Sequence, residues 1–255
     1  MYGAIIGDLA GSIYEFEQTK AITPVNSKEL IEERSFYSDD TILTIAILEA
    51  IQNNKDYNHY LREYIKKYRD YKPDYKPYFK TAFSPGLISW ASSNNIGTSH
   101  GNGAIMRISP VGFLFDKEEE VKENARLATI PSHNSKEAID AATTIALIIY
   151  SLRKGLSKEE VFERLHIKTV YKPFQKFNTT CEETIGNCLF AFYHSHSFED
   201  AIQKTLCMGG DTDTNCAIVG GMAEALYGVD EIYREKANQK LPDEFVKILK
   251  KIGCD

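Results

Sequence analysis

The chain has 255 residues, 43% of them hydrophobic and 26% charged, with a formal net charge of −6. That balance suits a globular protein with one sizeable core and excludes a disordered or fibrous chain. The net negative charge and the lack of a basic block argue against gripping long nucleic acid through its phosphates, although a small anion remains acceptable at a helix N-terminus or beside a metal.

Five cysteines, Cys181, Cys188, Cys207, Cys216 and Cys254, are odd in number and form no CxxC pair. They read as reduced thiols of a cytoplasmic protein. No signal peptide and no apolar run long enough to cross a membrane is visible. One domain spanning 1–255 and a monomer are expected.

Residues 1–16 read as a first, largely apolar helix in which Gly3, Gly7 and Gly11 recur every four residues and so share one face. Each glycine costs a helix about 1 kcal/mol relative to alanine, so three on one face imply close approach of another backbone. Asp8 lies inside that helix and must be satisfied there. Glu15 falls at its end, where a solvated terminus and a site residue are both consistent with the sequence. Residues 17–37 are polar and irregular, a candidate mobile loop over whatever Glu15 faces.

Ser38-Asp39-Asp40-Thr41 then opens an apolar helix. Tyr57, Tyr60, Leu61, Tyr64, Ile65, Tyr68 and Tyr71 have helical spacing and predict a packing face, broken by Pro73 and Pro77. Ser84-Pro85 suits an N-cap and first helical position. Gly97-Thr-Ser-His-Gly-Asn-Gly103 reads as a flexible loop whose amides could cradle an anion, with His100 as a surface residue. Ala104–Phe115 and an amphipathic 117–130 follow. A turn at 131–135 carries His133, which caps or binds ligand, and the apolar helix Ala138–Leu152 comes next. Ser157…Glu160 and Thr180…Glu183 have capping-box spacing. Residues 167–179 read as a surface excursion, and 185–193, 198–206 and 241–252 as helices.

Met208-Gly-Gly-Asp-Thr-Asp-Thr-Asn215 repeats the acidic, hydroxyl-interleaved pattern before a second buried helix that ends near Gly228. One helix needs one cap, not Asp-Thr-Asp-Thr. Two such clusters together offer four carboxylates, Asp39, Asp40, Asp211 and Asp213. On count these outweigh the partial positive charges of two helix N-termini. Oxygen-only ligands point to a hard cation, Mg²⁺, Mn²⁺ or Ca²⁺, rather than Zn²⁺. With no convincing period-2 runs, repeats or low-complexity linkers, the fold class is all-α, a single-domain multi-helix fold.

Five segments in order, Gly7-Asp8-x-x-Gly11-x-x-x-Glu15, Ser38-Asp-Asp-Thr41, Gly101-Asn-Gly-Ala-x-Met-Arg107, Ser132-His133 and Gly209-Gly-Asp-Thr-Asp-Thr214, resemble the ADP-ribosylglycohydrolase family along nearly the whole chain. The resemblance implies a compact orthogonal all-α fold with two divalent cations, Mg²⁺ or Mn²⁺, at the base of a cleft. It implies one metal held by Ser38, Asp39 and Asp213 and a second by Asp40, Asp211, Asp213 and Thr214. Glu15, with Asp40, matches the catalytic acids, and Gly101, Asn102, Gly103 and His133 match segments that hold ADP-ribose. The implied partner is an ADP-ribosylated protein or other ADP-ribosylated acceptor.

The residue chemistry is compatible with this. Cleavage at a ribose anomeric carbon passes through an oxocarbenium-like state, which a carboxylate acid or base and bound metals can assist. Two other classes compete: a catalytically inactive binding or structural relative, and a metal-dependent phosphohydrolase. All four aspartates and Glu15 are present, which favours the enzyme.

Overall fold

The computed structural model describes residues 1–15, 29–53, 55–73 and 81–253. Most of the loop expected at 17–37 lies outside them. The described residues hold fourteen α-helices and no strand, only the isolated bridges Thr98–His133 and Gly101–Thr180. In chain order these are α1 (Tyr2–Gly11), α2 (Asp39–Asn53), α3 (Tyr57–Lys67), α4 (Pro85–Ala91), α5 (Gly103–Met106), α6 (Ser109–Leu114) and α7 (Glu118–Thr129). They continue with α8 (Lys136–Arg153), α9 (Lys158–Arg164), α10 (Cys181–Tyr193), α11 (Phe198–Leu206), α12 (Thr212–Tyr227), α13 (Glu231–Lys240) and α14 (Asp243–Lys250).

The centre is an antiparallel pair, α1 on α12, the most extensive helix contact among the described residues. α1 is buried from Gly3 to Gly11 and α12 from Thr212 to Ala223, as helices apolar all round should be. The glycine spacing explains the pairing. A Cβ on Gly3 would overlap the carbonyl of Gly220, one on Gly7 that of Cys216, and one on Gly11 that of Thr212. The two ladders step by four residues in opposite directions, so the end of α1 meets the start of α12. The expected backbone approach is thus present, and it delivers Glu15 toward Asp211 and Asp213.

α2 and α8 complete the interior, with Ile42, Leu43, Ile45, Leu48, Ile145, Ile148 and Ile149 buried. Amphipathic helices close the outside: α14, for example, buries Phe245, Ile248 and Leu249. The tyrosine face packs as expected, with Tyr57 and Tyr64 buried and Tyr37 stacked on Tyr71 at 4.4 Å. Ser84, Ser135, Ser157, Thr180 and Ser197 cap their helices through side-chain oxygens, and both expected capping boxes are formed.

Several boundaries differ from the sequence reading. The first helix stops at Gly11, where the chain turns through residues 12–15. The segment 104–115 splits into α5 and α6, with Pro110 in the first turn of the second. α10 begins at Cys181 rather than 185 because Thr180 caps it there. α13 went unread: only Ala237 is buried along it, so no periodicity marks it. The excursion 167–179 is not wholly on the surface. Val170 and Tyr171 are exposed, but Phe174 and Asn178 are buried beneath the second acidic cluster. Among the described residues no helix is long and apolar enough to cross a membrane.

Candidate metal and ADP-ribose site

The two acidic clusters converge. α2 and α12 start side by side, so Asp40 in the first turn of α2 accepts a hydrogen bond at Oδ2 from Thr214 Oγ1 of α12 (3.1 Å). Ser38 Oγ donates to the same oxygen (3.1 Å) and accepts from the Asp40 amide (3.1 Å). Asp211 is the residue before α12, yet its carboxylate caps no amide of that helix. Plain capping therefore does not explain it. Its Oδ2 accepts from Asn102 Nδ2 (2.7 Å), and its own amide donates to Asn178 Oδ1 (2.7 Å). Asp213 Oδ1 accepts from the Thr214 amide (2.9 Å).

Two carboxylate triads share Asp213. Oxygens of Asp8, Asp40 and Asp213 lie within 4.8 Å of one another, as do oxygens of Glu15, Asp211 and Asp213. Asp8 is the member whose role the sequence left open. Its Oδ2 accepts from Thr41 Oγ1 (2.5 Å), Thr41 N (3.1 Å) and Ser38 N (2.9 Å), pinning the start of α2 to α1. Its Oδ1, like Asp40 Oδ1, is buried with no hydrogen-bond partner among the described residues.

The electrostatic consequence is large. Burial, then the Asp213 charge, pushes Asp8 up to about 7, and the same two causes push Asp39 up to about 8. Burial followed by Asp213 also holds Asp40 and Asp211 well above the ordinary carboxylate range. Carboxylates so crowded call for a cation, since burying unpaired negative charge is costly.

A cleft of about 630 Å³ opens above these groups. Glu15, Asp39, Asp40, Asp211, Asp213 and Thr214 line its floor, and Gly101, Asn102, Gly103 and His133 one wall. Phe83, Trp90 and Phe177 also line it. Ser38 is buried and does not line the cleft; it meets the floor through its bonds to Asp40 and Asp8. Glu15 is partly buried where it lines the cleft, past the end of α1 at Gly11.

The glycine loop is built differently from the expectation of a free amide cradle. The Gly97 amide donates to Pro131 O (2.8 Å), Ser99 N to Ser132 O (3.2 Å), Gly101 N to Ser99 Oγ (3.0 Å) and Asn102 N to Thr179 O (2.9 Å). Three of these amides fix the loop to the 131–135 turn and to the segment before α10, and that of Gly101 closes the loop on itself. The Asn102 side chain turns down to Asp211 rather than outward. Gly97 is required by packing, since a Cβ there would overlap Ser132. His100 is exposed and pairs with Glu137 at 3.6 Å, a surface residue as expected.

Gly209 and Gly210, with φ of 70° and 75°, make the turn that presents Asp211. That left-handed conformation favours glycine, and a Cβ at Gly210 would also strike Asn178 Oδ1. Asn178 is the residue the sequence reading missed altogether. Its amide donates to Thr184 Oγ1 (2.7 Å) and Asn215 Oδ1 (3.0 Å) while its oxygen holds the Asp211 amide. No local pattern marks it. Asp8 did carry a signal, a carboxylate within a glycine-spaced apolar helix.

Comparison with known proteins gives the family. The family described as ADP-ribosylglycohydrolase matches residues 1–251. ADP-ribosylhydrolase ARH3 of Homo sapiens is 24% identical over 311 residues, covering 90% of this chain and 85% of that protein. The ADP-ribosyl-[dinitrogen reductase] glycohydrolase of Rhodospirillum rubrum is 29% identical over 144 residues, 52% of this chain and 48% of that protein. A solved structure titled as an ADP-ribosylglycohydrolase-related protein complex superposes with a TM-score of 0.67 at 20% identity, covering 96% of this chain and 89% of that one, a likeness in fold. With a family match over residues 1–251, this chain belongs to the ADP-ribosylglycohydrolase family of glycosidic hydrolases.

Proposed function

We propose that the chain hydrolyses, with the help of divalent cations, the glycosidic bond between ADP-ribose and a modified acceptor, most simply a protein side chain. The observation that carries this reading is the pair of carboxylate triads meeting at Asp213 on the floor of the cleft. Relatives named as an ADP-ribosylarginine hydrolase, from Pseudomonas putida, and as a dinitrogen reductase glycohydrolase support a protein acceptor.

The residues present fit Mg²⁺ or Mn²⁺. The donors are all oxygen, and two buried carboxylate oxygens, Asp8 Oδ1 and Asp40 Oδ1, have no protein partner among the described residues. Asp8, Asp40, Asp211 and Asp213 would hold the ions, with Asp39 and Thr214 beside them on the cleft floor and Ser38 behind Asp40 as the further oxygen donors the family resemblance implies. Bound there, such ions supply Lewis acidity toward ribose hydroxyls and water.

The chain's own groups do the rest. Asn102 and Asn178 orient Asp211, one from its side chain and one from its backbone. Asp8 and Thr214 hold the start of α2 and the Asp40 carboxylate. Glu15, at the cleft floor beside Asp211 and Asp213, would move a proton to or from the scissile bond, and Asp40, in the other triad, is the second candidate acid. The wall of Gly101, Asn102, Gly103 and His133 would face the diphosphate part of the substrate.

The test is a panel of peptides ADP-ribosylated on arginine or serine, with a phosphomonoester as control, incubated with and without Mg²⁺ or Mn²⁺. Released ADP-ribose is read by mass spectrometry. Metal-dependent release from at least one acceptor is the expected result. Hydrolysis of the phosphoester alone would replace this reading with a phosphohydrolase, and no turnover of any substrate would leave a binding protein.

A further inference from the structure

Arg107 follows α5 and is almost entirely buried, at 1% exposure. Its Nη2 donates to Ser132 Oγ (2.7 Å), and Ser132 Oγ lies 2.7 Å from His133 Nδ1. Ser132 is itself 3% exposed and His133 4%. Beyond the ring, Nε2 faces the glycine loop: a Cβ on Gly101 or on Gly103 would come within 3.4 Å of it. The three residues thus form a line from the interior to the cleft wall.

We infer that Arg107 and Ser132 act as positioning residues that fix His133 as the Nε2–H tautomer, making it a donor for the phosphoryl oxygens of the ligand. The inference rests on the ADP-ribose reading above for the ligand and on hydrogen-bond accounting for the tautomer. A guanidinium can only donate, so Ser132 Oγ must accept from Arg107. Among the described residues the only other partner of that hydroxyl is His133 Nδ1. With Nδ1 as acceptor, the serine proton is satisfied and Nε2 carries the hydrogen. With Nδ1 protonated, the serine oxygen would accept twice and its own proton would be buried without an acceptor. That penalty biases the tautomer by about ten-fold or more.

The charge state follows the same geometry. Burial, then the Arg107 cation, holds His133 well below the ordinary histidine range. The other titratable neighbour, His100, is itself paired with Glu137. The ring is therefore a neutral donor, and phosphoryl oxygens, which only accept, are the complementary ligand. This also accounts for the wall: with several loop amides spent on internal bonds, the donor that faces the cleft comes from the adjacent turn.

The experiment reads the ring directly. Uniformly ¹⁵N-labelled full-length protein gives long-range ¹H–¹⁵N correlations for its six histidines, and His133→Gln assigns the one in question. The expected pattern is Nε2 protonated and Nδ1 bare at pH 7, with ADP-ribose perturbing Nε2. Ser132→Ala should release the tautomer and weaken ADP-ribose binding by about ten-fold, the worth of one hydrogen bond to a charged group, with Ser132→Thr restoring both. A protonated Nδ1 in the wild type, or two protonated nitrogens at pH 7, overturns the inference. So does wild-type ADP-ribose affinity in Ser132→Ala. If the wild type binds no ADP-ribose, the proposed function fails, and the ring spectrum alone still decides the relay.

Discussion

Asp8 on α1 accepts two hydrogen bonds from Thr41 on α2, one from its hydroxyl at 2.5 Å and one from its amide at 3.1 Å. One carboxylate oxygen is consumed by this link and by Ser38 N, while the other is buried without a hydrogen-bond partner among the described residues, in a carboxylate that stands beside those of Asp40 and Asp213. Asp8 therefore does two things at once. It fixes the cluster Ser38–Thr41 in place, and it adds negative charge to the floor.

The two roles separate by mutation. Asp8→Ala leaves three buried donors without their acceptor, and should destabilise the protein by about 2–4 kcal/mol. Asp8→Asn keeps an acceptor for them and replaces the unpartnered oxygen with an amide donor, removing the charge beside Asp40 and Asp213. In the presence of a chelator it should melt no lower than the wild type, yet respond less to Mn²⁺. Thermal melts of both variants with and without metal check this; equal loss in both would show that Asp8 acts only as a folding contact.

Acidity gives a second expectation. In the folded, metal-free protein Asp8 titrates near 7 and Asp39 near 8, both above the ordinary 3.8. Between about pH 4 and 8 the folded state therefore holds protons that the unfolded chain has released, so stability falls as pH rises through that window. With chelator present, Tm should drop by several degrees between pH 5 and pH 8, at about 2–4 °C per kcal/mol for a chain of this size. Saturating Mn²⁺ should flatten or reverse the slope, because the cation binds the ionised form. A metal-free Tm that climbs over the same range would contradict the crowding of these carboxylates.

The glycines make a third. Gly7→Ala places a Cβ on the Cys216 carbonyl, and the α1–α12 pair has no slack to accept it. The variant should fail to fold or lose several kcal/mol. Gly186 sits inside α10 with nothing within 4 Å of an added Cβ. Gly186→Ala should stabilise by about 0.5–1 kcal/mol through helix propensity. Denaturant midpoints of the two variants against wild type are the measurement, and a well-folded Gly7→Ala would remove the backbone contact from the account.

Much of this was legible because each signal was local. Gly3, Gly7 and Gly11 declare a backbone contact by spacing alone. Two acidic clusters before apolar runs declare a site, since capping cannot use that many carboxylates. What stayed hidden depends on contacts distant in sequence. The hydrogen bond from Asn102 to Asp211 spans 109 positions, and Asn178 looks like any loop asparagine until its amide is found under the Gly209–Asp211 turn. α13 was missed for the opposite reason, because it buries almost nothing. Internal satisfaction of the loop amides at 97–103 was likewise invisible, as glycine content speaks of freedom and not of partners.

Glu15 remains the most diagnostic residue for mechanism. The antiparallel α1–α12 pair brings the turn after Gly11 against the start of α12, and a Glu15 oxygen comes within 4.8 Å of oxygens of Asp211 and Asp213. That proximity admits two roles that the sequence separated less sharply: a proton-transfer group at the scissile bond, and a ligand completing the second triad. Glu15→Gln keeps the shape and removes the ionisable proton site. As proton-transfer group alone, the change should lower turnover by about 10²–10⁴-fold, with metal and ADP-ribose affinities held near wild type. As ligand, it should weaken metal affinity, and excess Mn²⁺ should recover most of the lost rate. Turnover of one cleavable ADP-ribosylated peptide, measured across a full Mn²⁺ titration, separates the two. We expect a loss of at least about 10²-fold that saturating metal does not repair. Recovery to wild-type rate at high Mn²⁺ would move Glu15 from the proton-transfer step to the metal ligands, and an unchanged rate at every metal concentration would remove it from the reaction.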